Sequence, residues 1–325
     1  MVNTLNVLGF PHTYELTPPT NSSTVLVFVH GWLLSKAYWQ PLVQRLSASY
    51  QCLSYDMRGF GDSCSMAPAS ARTIAPAAVS VGAALEPAGI SAREGVVSPG
   101  YGISGLSLSI ATASRYTPAA YAQDLVLLLQ QLKLSNVWLV GHSLGGSIAL
   151  WAADQAPETI AGVICVNSGG GIYLKEEFDR FRSVGKQLVT FRPRWFSYVP
   201  FLDLMLTRFS VAQPIARRWG RQRLLDLLRA EPEAALGTLL ESTTEAEVHL
   251  LPQVISRLRQ PVHFIAGAND TIMEPQYVHH LASFHSSFES CGNNVSEIPN
   301  CGHLSMVEQP EAVVNEIEAV LAKHT

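Results

Sequence analysis

Three residues far apart in the chain have the types needed for nucleophilic catalysis. Ser143 lies within Gly-His-Ser-Leu-Gly, after an apolar run and before a segment with helical spacing. A nucleophile on such a tight strand-to-helix turn needs small residues two positions to either side, because the backbone folds back on itself there. The hydroxyl would project above the turn, and the start of the following helix would stabilise developing negative charge.

A serine hydroxyl needs a base to accept its proton, and the base needs a third group to orient it. Asp270 closes Gly-Ala-Asn-Asp after the apolar run at 262–266, and His303 lies in a loop before the last helical segment. Catalytic groups in open α/β sheets gather at the carboxyl ends of the strands. We therefore predict a triad of Ser143, Asp270 and His303, with Glu274 as a distant second candidate for the acid.

Acyl transfer also needs two backbone N–H groups aimed at the carbonyl oxygen that becomes negative. His30, Gly31 and Trp32 follow the first strong apolar run, and Leu144 directly follows the nucleophile. We predict that the backbone N–H groups of Trp32 and Leu144 form this oxyanion hole. His30 is expected to hold its turn rather than to react.

The neighbours of these residues are open to other interpretations. The alternative position for a triad acid, after another apolar run, holds Asn167 and Ser168 and no carboxylate. His142 precedes the nucleophile, and we expect it to point away across the turn and to pack rather than react. Together with Trp32 and Leu33, His142 is also a candidate for contact with the substrate.

The hydrophobic pattern indicates which elements position these groups. Short continuous apolar runs, which are typical of strands covered on both faces, lie at residues 25–29, 52–55, 137–140, 163–166 and 262–266. Helical spacing appears between them, and Pro310 is placed to open the last helix. The alternation predicts an α/β fold with a mostly parallel, doubly wound sheet flanked by helices.

Five motifs in this order resemble the α/β-hydrolase superfamily, in its serine-nucleophile, esterase- or lipase-like branch with a helical cap. They are His30-Gly31-Trp32, the stretch Tyr-Asp-Met-Arg-Gly-Phe-Gly-Asp-Ser at 55–63, the elbow at Ser143, the tetrapeptide ending at Asp270 and the dipeptide ending at His303. The resemblance covers about residues 24–63 and 116–323. It implies the α/β-hydrolase fold, the same triad and oxyanion hole, and a cap that selects the substrate. It also implies a structural role for Arg58 and Gly59.

Two segments interrupt the alternation. Ala, Ser, Gly and Pro supply more than half of residues 65–115, so we predict a flexible insertion that is either a surface excursion or a lid over the site. Residues 169–251 are rich in helix formers and aromatics and too long for an ordinary connection, so we predict a helical cap. The core would then comprise 1–64, 116–168 and 252–325.

Composition excludes several classes of protein. With 47% hydrophobic and 15% charged residues and a net charge of -4, the chain is not largely disordered, and nucleic acid is not an expected partner. No run reaches the roughly 18 apolar residues of a membrane span, and the start lacks a signal-peptide pattern, so we expect a cytoplasmic protein. The five cysteines include no CxxC pair, so we expect neither a disulfide framework nor a metal site. We also expect no cofactor.

The predicted cap carries a clue to the substrate. Eleven of the 22 Lys and Arg residues lie between positions 180 and 229, with only two acidic residues and several interleaved aromatics. Such a segment can sit at a lipid headgroup boundary, which would suggest an amphiphilic ester and peripheral membrane contact. The alternative is a cap whose aromatics pack on the sheet while its arginines are solvated.

A serine nucleophile excludes the branches of the superfamily that use an aspartate nucleophile, such as haloalkane dehalogenases and epoxide hydrolases of the usual mechanism. We predict hydrolysis of a small-molecule carboxylic ester through an acyl-enzyme. Thioesters, lactones and carbon–carbon bonds remain alternatives, because the fold and the triad do not choose among them. A homologue that binds a ligand without turnover also stays open, as does the oligomeric state.

Overall fold

Eight strands form one sheet in the part of the chain that the computed structural model describes, which is residues 2–64, 114–169, 175–290 and 294–324. The strands are β1 (Val2–Val7), β2 (Phe10–Leu16), β3 (Val25–Val29), β4 (Gln51–Tyr55), β5 (Val137–His142), β6 (Ile160–Val166), β7 (Val262–Gly267) and β8 (Val295–Ile298). Their spatial order is β1-β2-β4-β3-β5-β6-β7-β8, and all neighbouring pairs from β4 to β8 are parallel. The predicted fold class is therefore confirmed.

Helices cover both faces of the sheet. They are α1 (Gln40–Leu46), α2 (Pro118–Gln131), α3 (Leu144–Gln155), α4 (Lys175–Thr190), α5 (Leu202–Arg208), α6 (Arg217–Arg229), α7 (Pro232–Ser242), α8 (Glu245–Arg257), α9 (Pro275–Ala282), α10 (Ser286–Ser290), α11 (Ser305–Glu308) and α12 (Pro310–Ala322). None of the helices within the described ranges is long and apolar enough to cross a membrane.

The central strands are apolar along their whole length because each face of the sheet has its own core. In β3, Val25, Val27 and Val29 pack into the core beneath α2, α3 and α8. Leu26 and Phe28 point to the opposite face, into the core beneath α1 and α12. Successive residues of a strand point to opposite faces, so two covered faces require an unbroken apolar run.

The antiparallel hairpin of β1 and β2 at the edge of the sheet has no counterpart among the predicted strands. Leu8 and Gly9 turn the chain with φ angles of 52° and 85°. Most β1 side chains are exposed. An edge strand with an exposed face lacks the continuous apolar run that indicated the other strands, which is why the pattern missed it.

The segment between β6 and β7 contains α4 to α8, and the described residues from 114 onward form one compact unit with 1–65. We predicted that the cap ends at residue 251, but this position lies inside α8. Leu251 and Ile255 of α8 are buried in the core that also contains α3, so the helix continues across that boundary. The predicted insertion at 65–115 lies outside the described residues, except for Ser114 and Arg115.

Arg58 has the structural surroundings that the resemblance implied. Its Nε lies 3.2 Å from Oδ2 of the buried Asp124. The guanidinium lies over the rings of Phe10 and Tyr121, 4.7 and 4.9 Å from their centroids. Gly59 follows with a φ of 80°, a left-handed conformation that glycine adopts without strain.

Asp226 of α6 is a buried carboxyl group whose pKa burial raises to about 7. Its oxygens accept hydrogen bonds from Gln222 Nε2 at 2.9 Å and Ser35 Oγ at 3.0 Å, which do not offset the loss of solvation. Unfolded aspartate titrates near pH 3.9. The folded state therefore holds this proton to higher pH than the unfolded state does, and stability falls as the pH rises between the two pKa values.

We expect Asp226→Asn to remove this pH dependence. Relative to the wild type, the variant should gain about 2 kcal/mol more in the free energy of unfolding at pH 8 than at pH 5. Urea unfolding of both proteins at the two pH values measures the difference. An unchanged stability difference between wild type and variant across this range would contradict the assignment.

Candidate active site

Ser143 occupies a strained turn between β5 and α3. Its φ and ψ angles are 51° and −121°, a conformation that a non-glycine residue adopts at a cost of about 1–3 kcal/mol. Its backbone N–H donates to the Val166 carbonyl at 3.0 Å. A Cβ atom at Gly145 would lie 2.2 Å from the carbonyl oxygen of Val29, and one at Gly141 would lie 2.3 Å from that of Gly145. Glycine at positions 141 and 145 therefore leaves room for the neighbouring backbone carbonyl groups.

The predicted acid and base are in direct contact. His303 Nδ1 lies 2.7 Å from Asp270 Oδ2, and both side chains are buried. The other carboxylate oxygen of Asp270 accepts N–H groups of Ile272 at 2.8 Å and Met273 at 2.9 Å. Burial alone would raise the pKa of Asp270, but His303 and these two N–H groups hold it below its ordinary value.

An ionised Asp270 can only accept hydrogen bonds, so His303 Nδ1 carries the proton in this pair. In neutral His303, Nε2 is then the basic nitrogen, as a general base requires. Glu274, the second candidate for the acid, is exposed and accepts a hydrogen bond from Gln276 Nε2 at 2.7 Å. The structure thus places Asp270, not Glu274, on the histidine.

The loop that carries His303 lies beside the turn that carries Ser143. The ring of His142 lies 4.8 Å from the ring of His303, and His142 Nε2 is 2.8 Å from the His303 carbonyl oxygen. Ser143, the next residue, is only partly buried. All three predicted members of the triad are therefore brought to the same edge of the sheet.

His142 is buried and packs against the ring of His303, and the expectation that it points away from Ser143 across the turn stays a prediction. Its ring lies against His303 because Gly31 leaves the space: a Cβ atom at residue 31 would be 2.7 Å from His142 Nδ1. Burial, and secondarily the charge on His303, lower the pKa of His142 well below its ordinary value. The neutral ring donates its Nε2 proton to the His303 carbonyl.

The loop after β3 lies against the nucleophile turn, where the oxyanion hole is predicted. A Cβ atom at Gly31 would be 3.2 Å from Ser143 Cβ, and Trp32 follows directly. Leu144 is the first residue of α3, so its N–H has no partner within the helix. Leu33 turns the loop with a φ of 54°. The oxyanion role of the two N–H groups stays a prediction.

His30 holds this loop through both ring nitrogens. The backbone N–H of Met57 donates to His30 Nε2 at 3.0 Å, so Nδ1 carries the proton that is donated to the Gly31 carbonyl at 2.8 Å. Burial lowers the pKa of His30, which keeps it neutral in this bridging role. The predicted structural role agrees with these contacts.

Trp32 connects the loop with the cap. Its indole Nε1 donates to the Ala235 carbonyl of α7 at 2.8 Å, and its ring lies 6.3 Å from that of Phe181 on α4. Trp32 is half-buried, whereas Leu33 and His142 are 7% and 1% exposed. The two buried side chains act on the described site through packing, and the predicted substrate contacts of all three residues stay predictions.

Sequence reasoning missed Asn167 as a member of the site. Its Nδ2 donates to Asp270 Oδ2 at 2.9 Å and to the Gly302 carbonyl at 3.2 Å, while its Oδ1 accepts from Ser305 Oγ at 2.6 Å. Asn167 directly follows β6, the neighbour of β7 in the sheet. The position of Asn167 at the end of an apolar run could have identified it as a residue of the site. Because it carries no carboxylate, it was not predicted as the acid.

A cavity of about 400 Å³ opens beside His303. Its lining includes Arg208, Phe209, Ser210, Asn269, Thr271 and His303. The cap segment is anchored here, because the backbone N–H groups of His303 and Leu304 both donate to the Ser210 carbonyl, at 2.9 and 3.2 Å.

Comparison with known proteins agrees with this architecture. The family model described as the alpha/beta hydrolase fold matches residues 24–310. The chain is similar to the magnesium-chelatase 30 kDa subunit of Rhodobacter capsulatus, with 30% identity over 56% of this chain and 63% of that protein. It is also similar to 3-oxoadipate enol-lactonase 2 of Acinetobacter baylyi, with 26% identity over 62% of this chain and 69% of that protein.

Solved structures share the fold over the whole chain. An esterase from Thermogutta terrifontis covers 100% of both chains with a TM-score of 0.66 and 20% identity. The esterase EaEST from Exiguobacterium antarcticum covers 99% of this chain and 100% of its own, with a TM-score of 0.72 and 15% identity. At these identities the likeness concerns the fold.

Proposed function

The chain belongs to the alpha/beta-hydrolase fold family of enzymes, and from this premise we propose that it is a serine hydrolase that cleaves a carboxylic ester. The observation that carries the proposal is the 2.7 Å contact between His303 Nδ1 and Asp270 Oδ2, beside the strained turn of Ser143. An oriented base next to a serine held in this conformation is the arrangement that acyl transfer needs.

In the first half of the reaction, Ser143 Oγ attacks the ester carbonyl while His303 Nε2 accepts the hydroxyl proton. Asp270 orients the imidazole and stabilises the imidazolium that forms. The N–H groups of Trp32 and Leu144 bind the oxygen that becomes negative. His303 then gives the proton to the alcohol oxygen, the carbon–oxygen bond breaks, and the acyl group remains on Ser143.

In the second half, water releases the acyl group. His303 Nε2 takes a proton from the water, which attacks the acyl carbonyl, and the same oxyanion hole binds the second tetrahedral intermediate. The proton returns to Ser143 Oγ as the carboxylic acid leaves. This sequence uses only groups of the chain and consumes one water for each ester.

A lactone is the second candidate substrate, because one relative is a 3-oxoadipate enol-lactonase. A lactone is a cyclic ester, so the same attack by Ser143 would open the ring and leave the alcohol tethered to the acyl group. Thioesters fit the same chemistry. The described geometry of the triad suits all three, and the substrate must be found by experiment.

The proposal is tested by hydrolysis of p-nitrophenyl esters from acetyl to palmitoyl, together with a thioester and a simple lactone. We expect turnover of at least one ester well above the uncatalysed rate, and the preferred chain length would report the depth of the acyl pocket. Reaction with a fluorophosphonate probe gives an independent readout of the nucleophile. The absence of both turnover and labelling would favour the ligand-binding alternative and overturn the proposal.

A further inference from the structure

Exposed apolar side chains are concentrated in one short stretch of the cap. Thirteen large hydrophobic side chains are exposed in the residues that the structure describes, and six of these lie within residues 195–209. We call these six the cap patch: Trp195, Tyr198, Phe201, Leu204, Met205 and Phe209. Tyr198 and Phe209 are 85% and 76% exposed. Single exposed apolar residues are ordinary, but a cluster of this kind marks an interaction surface.

The helix α5 at the centre of the cap patch packs Leu206 against the core, but otherwise it reverses the pattern of an ordinary surface helix at four positions. Asp203 and Thr207 of α5 are both 5% exposed, whereas Leu204 and Met205 are 42% and 60% exposed. The buried polar face packs towards α6, where Arg217 Nε donates to Asp203 Oδ2 at 2.7 Å. A helix that buries its polar side chains and exposes its apolar ones is suited to an apolar environment outside the protein.

Positive charge adjoins the cap patch. Arg208, three residues after Met205 on α5, is exposed. Three further arginines are exposed on α6: Arg217, Arg218 and Arg221. The guanidinium of Arg217 lies over the Phe201 ring, 5.8 Å from its centroid, so the charged and apolar groups are in contact. Between residues 180 and 225, Asp203 is the one acidic side chain in the sequence. It pairs with Arg217, and this pairing holds the pKa of Asp203 below its ordinary value.

This composition fits one kind of partner. Aromatic and aliphatic side chains next to arginines match the headgroup region of a bilayer, where rings enter the acyl boundary and guanidinium groups meet phosphates. The excess of arginine over acid on this surface complements the negative potential of anionic lipids.

The cap patch is also continuous with the candidate active site. Arg208 and Phe209 line the cavity that contains His303, and the next residue, Ser210, accepts the backbone N–H of that histidine at 2.9 Å. A bilayer in contact with α5 would therefore lie at the mouth of this cavity. An ester that enters this cavity from the membrane surface would reach His303.

We propose that the cap patch docks the enzyme on anionic lipid bilayers and that the substrate is an amphiphilic ester taken from that surface. The identity of the substrate rests on the proposed ester hydrolysis, whereas docking does not. The two parts therefore fail separately: binding to vesicles measures the docking, and turnover of a short water-soluble ester without vesicles measures the chemistry.

The test is co-sedimentation of the full chain with phosphatidylcholine vesicles, with and without phosphatidylserine, at low salt. We expect binding to the anionic vesicles that weakens as salt is added. Tyr198→Glu/Met205→Glu should abolish this binding, and Arg218→Glu/Arg221→Glu should weaken it about 10-fold or more. Leu8→Glu is the matched control, because Leu8 is 54% exposed in the β1–β2 turn, outside the cap patch.

The variants should retain wild-type turnover of a short soluble ester, which shows that they fold. Docking should also raise the rate with a vesicle-borne ester, and this increase should be lost in the Tyr198→Glu/Met205→Glu variant. Wild-type protein that stays in the supernatant with anionic vesicles would overturn the proposal. So would equal binding by the patch variants, or a lipid-free dimer that the same substitutions dissociate, since that would assign the patch to a second copy of the chain.

Discussion

Replacing Ser143 with alanine is expected to lower kcat/KM for ester hydrolysis by about 10⁴-fold or more. The substitution removes the one atom that forms the acyl-enzyme, and the partly exposed turn offers no other hydroxyl in its place. Labelling by a fluorophosphonate probe should be lost as well. Kinetics with the preferred p-nitrophenyl ester, together with intact-mass measurement after probe treatment, check both expectations.

Ser147→Ala is the matched control for this experiment. Ser147 lies about one turn further along α3 and is 9% exposed, so the change removes an equivalent hydroxyl without touching the reacting one. We expect the control to stay within a few-fold of the wild type. Substantial hydrolysis by Ser143→Ala at the wild-type pH optimum would exclude Ser143 as the nucleophile.

Asp270→Asn is expected to lower kcat by on the order of 10³- to 10⁴-fold while leaving KM nearly unchanged. The carboxylate accepts a hydrogen bond from His303 Nδ1. An amide can present its own N–H at that position, which would favour the imidazole tautomer that carries its proton on Nε2. Both partners of Asp270 Oδ2, His303 Nδ1 and Asn167 Nδ2, donate to it, so an amide NH₂ group in that place would face two donors and could accept from neither.

Glu274→Gln provides the control, since Glu274 is an exposed carboxyl group four residues away. We expect this variant to keep wild-type kcat. A large loss in Glu274→Gln with little loss in Asp270→Asn would reverse the assignment of the acid. Steady-state kinetics of both variants over a range of pH distinguish the two cases.

The same carboxylate links activity to acid stability. The folded pKa of Asp270 lies below its ordinary value, so the ionised form favours the folded state. This contribution is present above the unfolded pKa of about 3.9 and is lost as the pH falls through the folded pKa. Asp270→Asn removes it, so the variant should lose less stability than the wild type on acidification.

Local patterns in the sequence were sufficient to predict the strands β3 to β7 and the pairing of Asp270 with His303, but not β1, β2 or β8. The continuous apolar runs indicated β3 to β7 because both faces of these strands are buried, which leaves few polar positions in them. The glycines around Ser143 indicated the turn because Cβ atoms at Gly141 and Gly145 would collide with backbone. Asp270 and His303 followed from the rule that strand ends share one edge.

Other features depended on which surfaces meet in three dimensions. Asn167 became part of the site only when β6 and β7 were placed side by side, so that its amide reached Asp270 across 103 positions of sequence. His142 turned towards His303 because Gly31, in the loop after β3, left the space. No pattern local to residue 142 or 167 encodes a neighbour that is supplied by a distant segment.

The predicted cap shows most clearly the difference between what the sequence determines and what the tertiary structure determines. The sequence by itself determined that residues 180–229 combine aromatics with half of the basic residues of the chain. It left open whether the aromatics pack inward or face outward. The tertiary structure decided this residue by residue: Trp195, Tyr198 and Phe209 are exposed, whereas Trp219 is buried. The physical reason is that burial is a property of two surfaces in contact, whereas composition and periodicity describe only one of them.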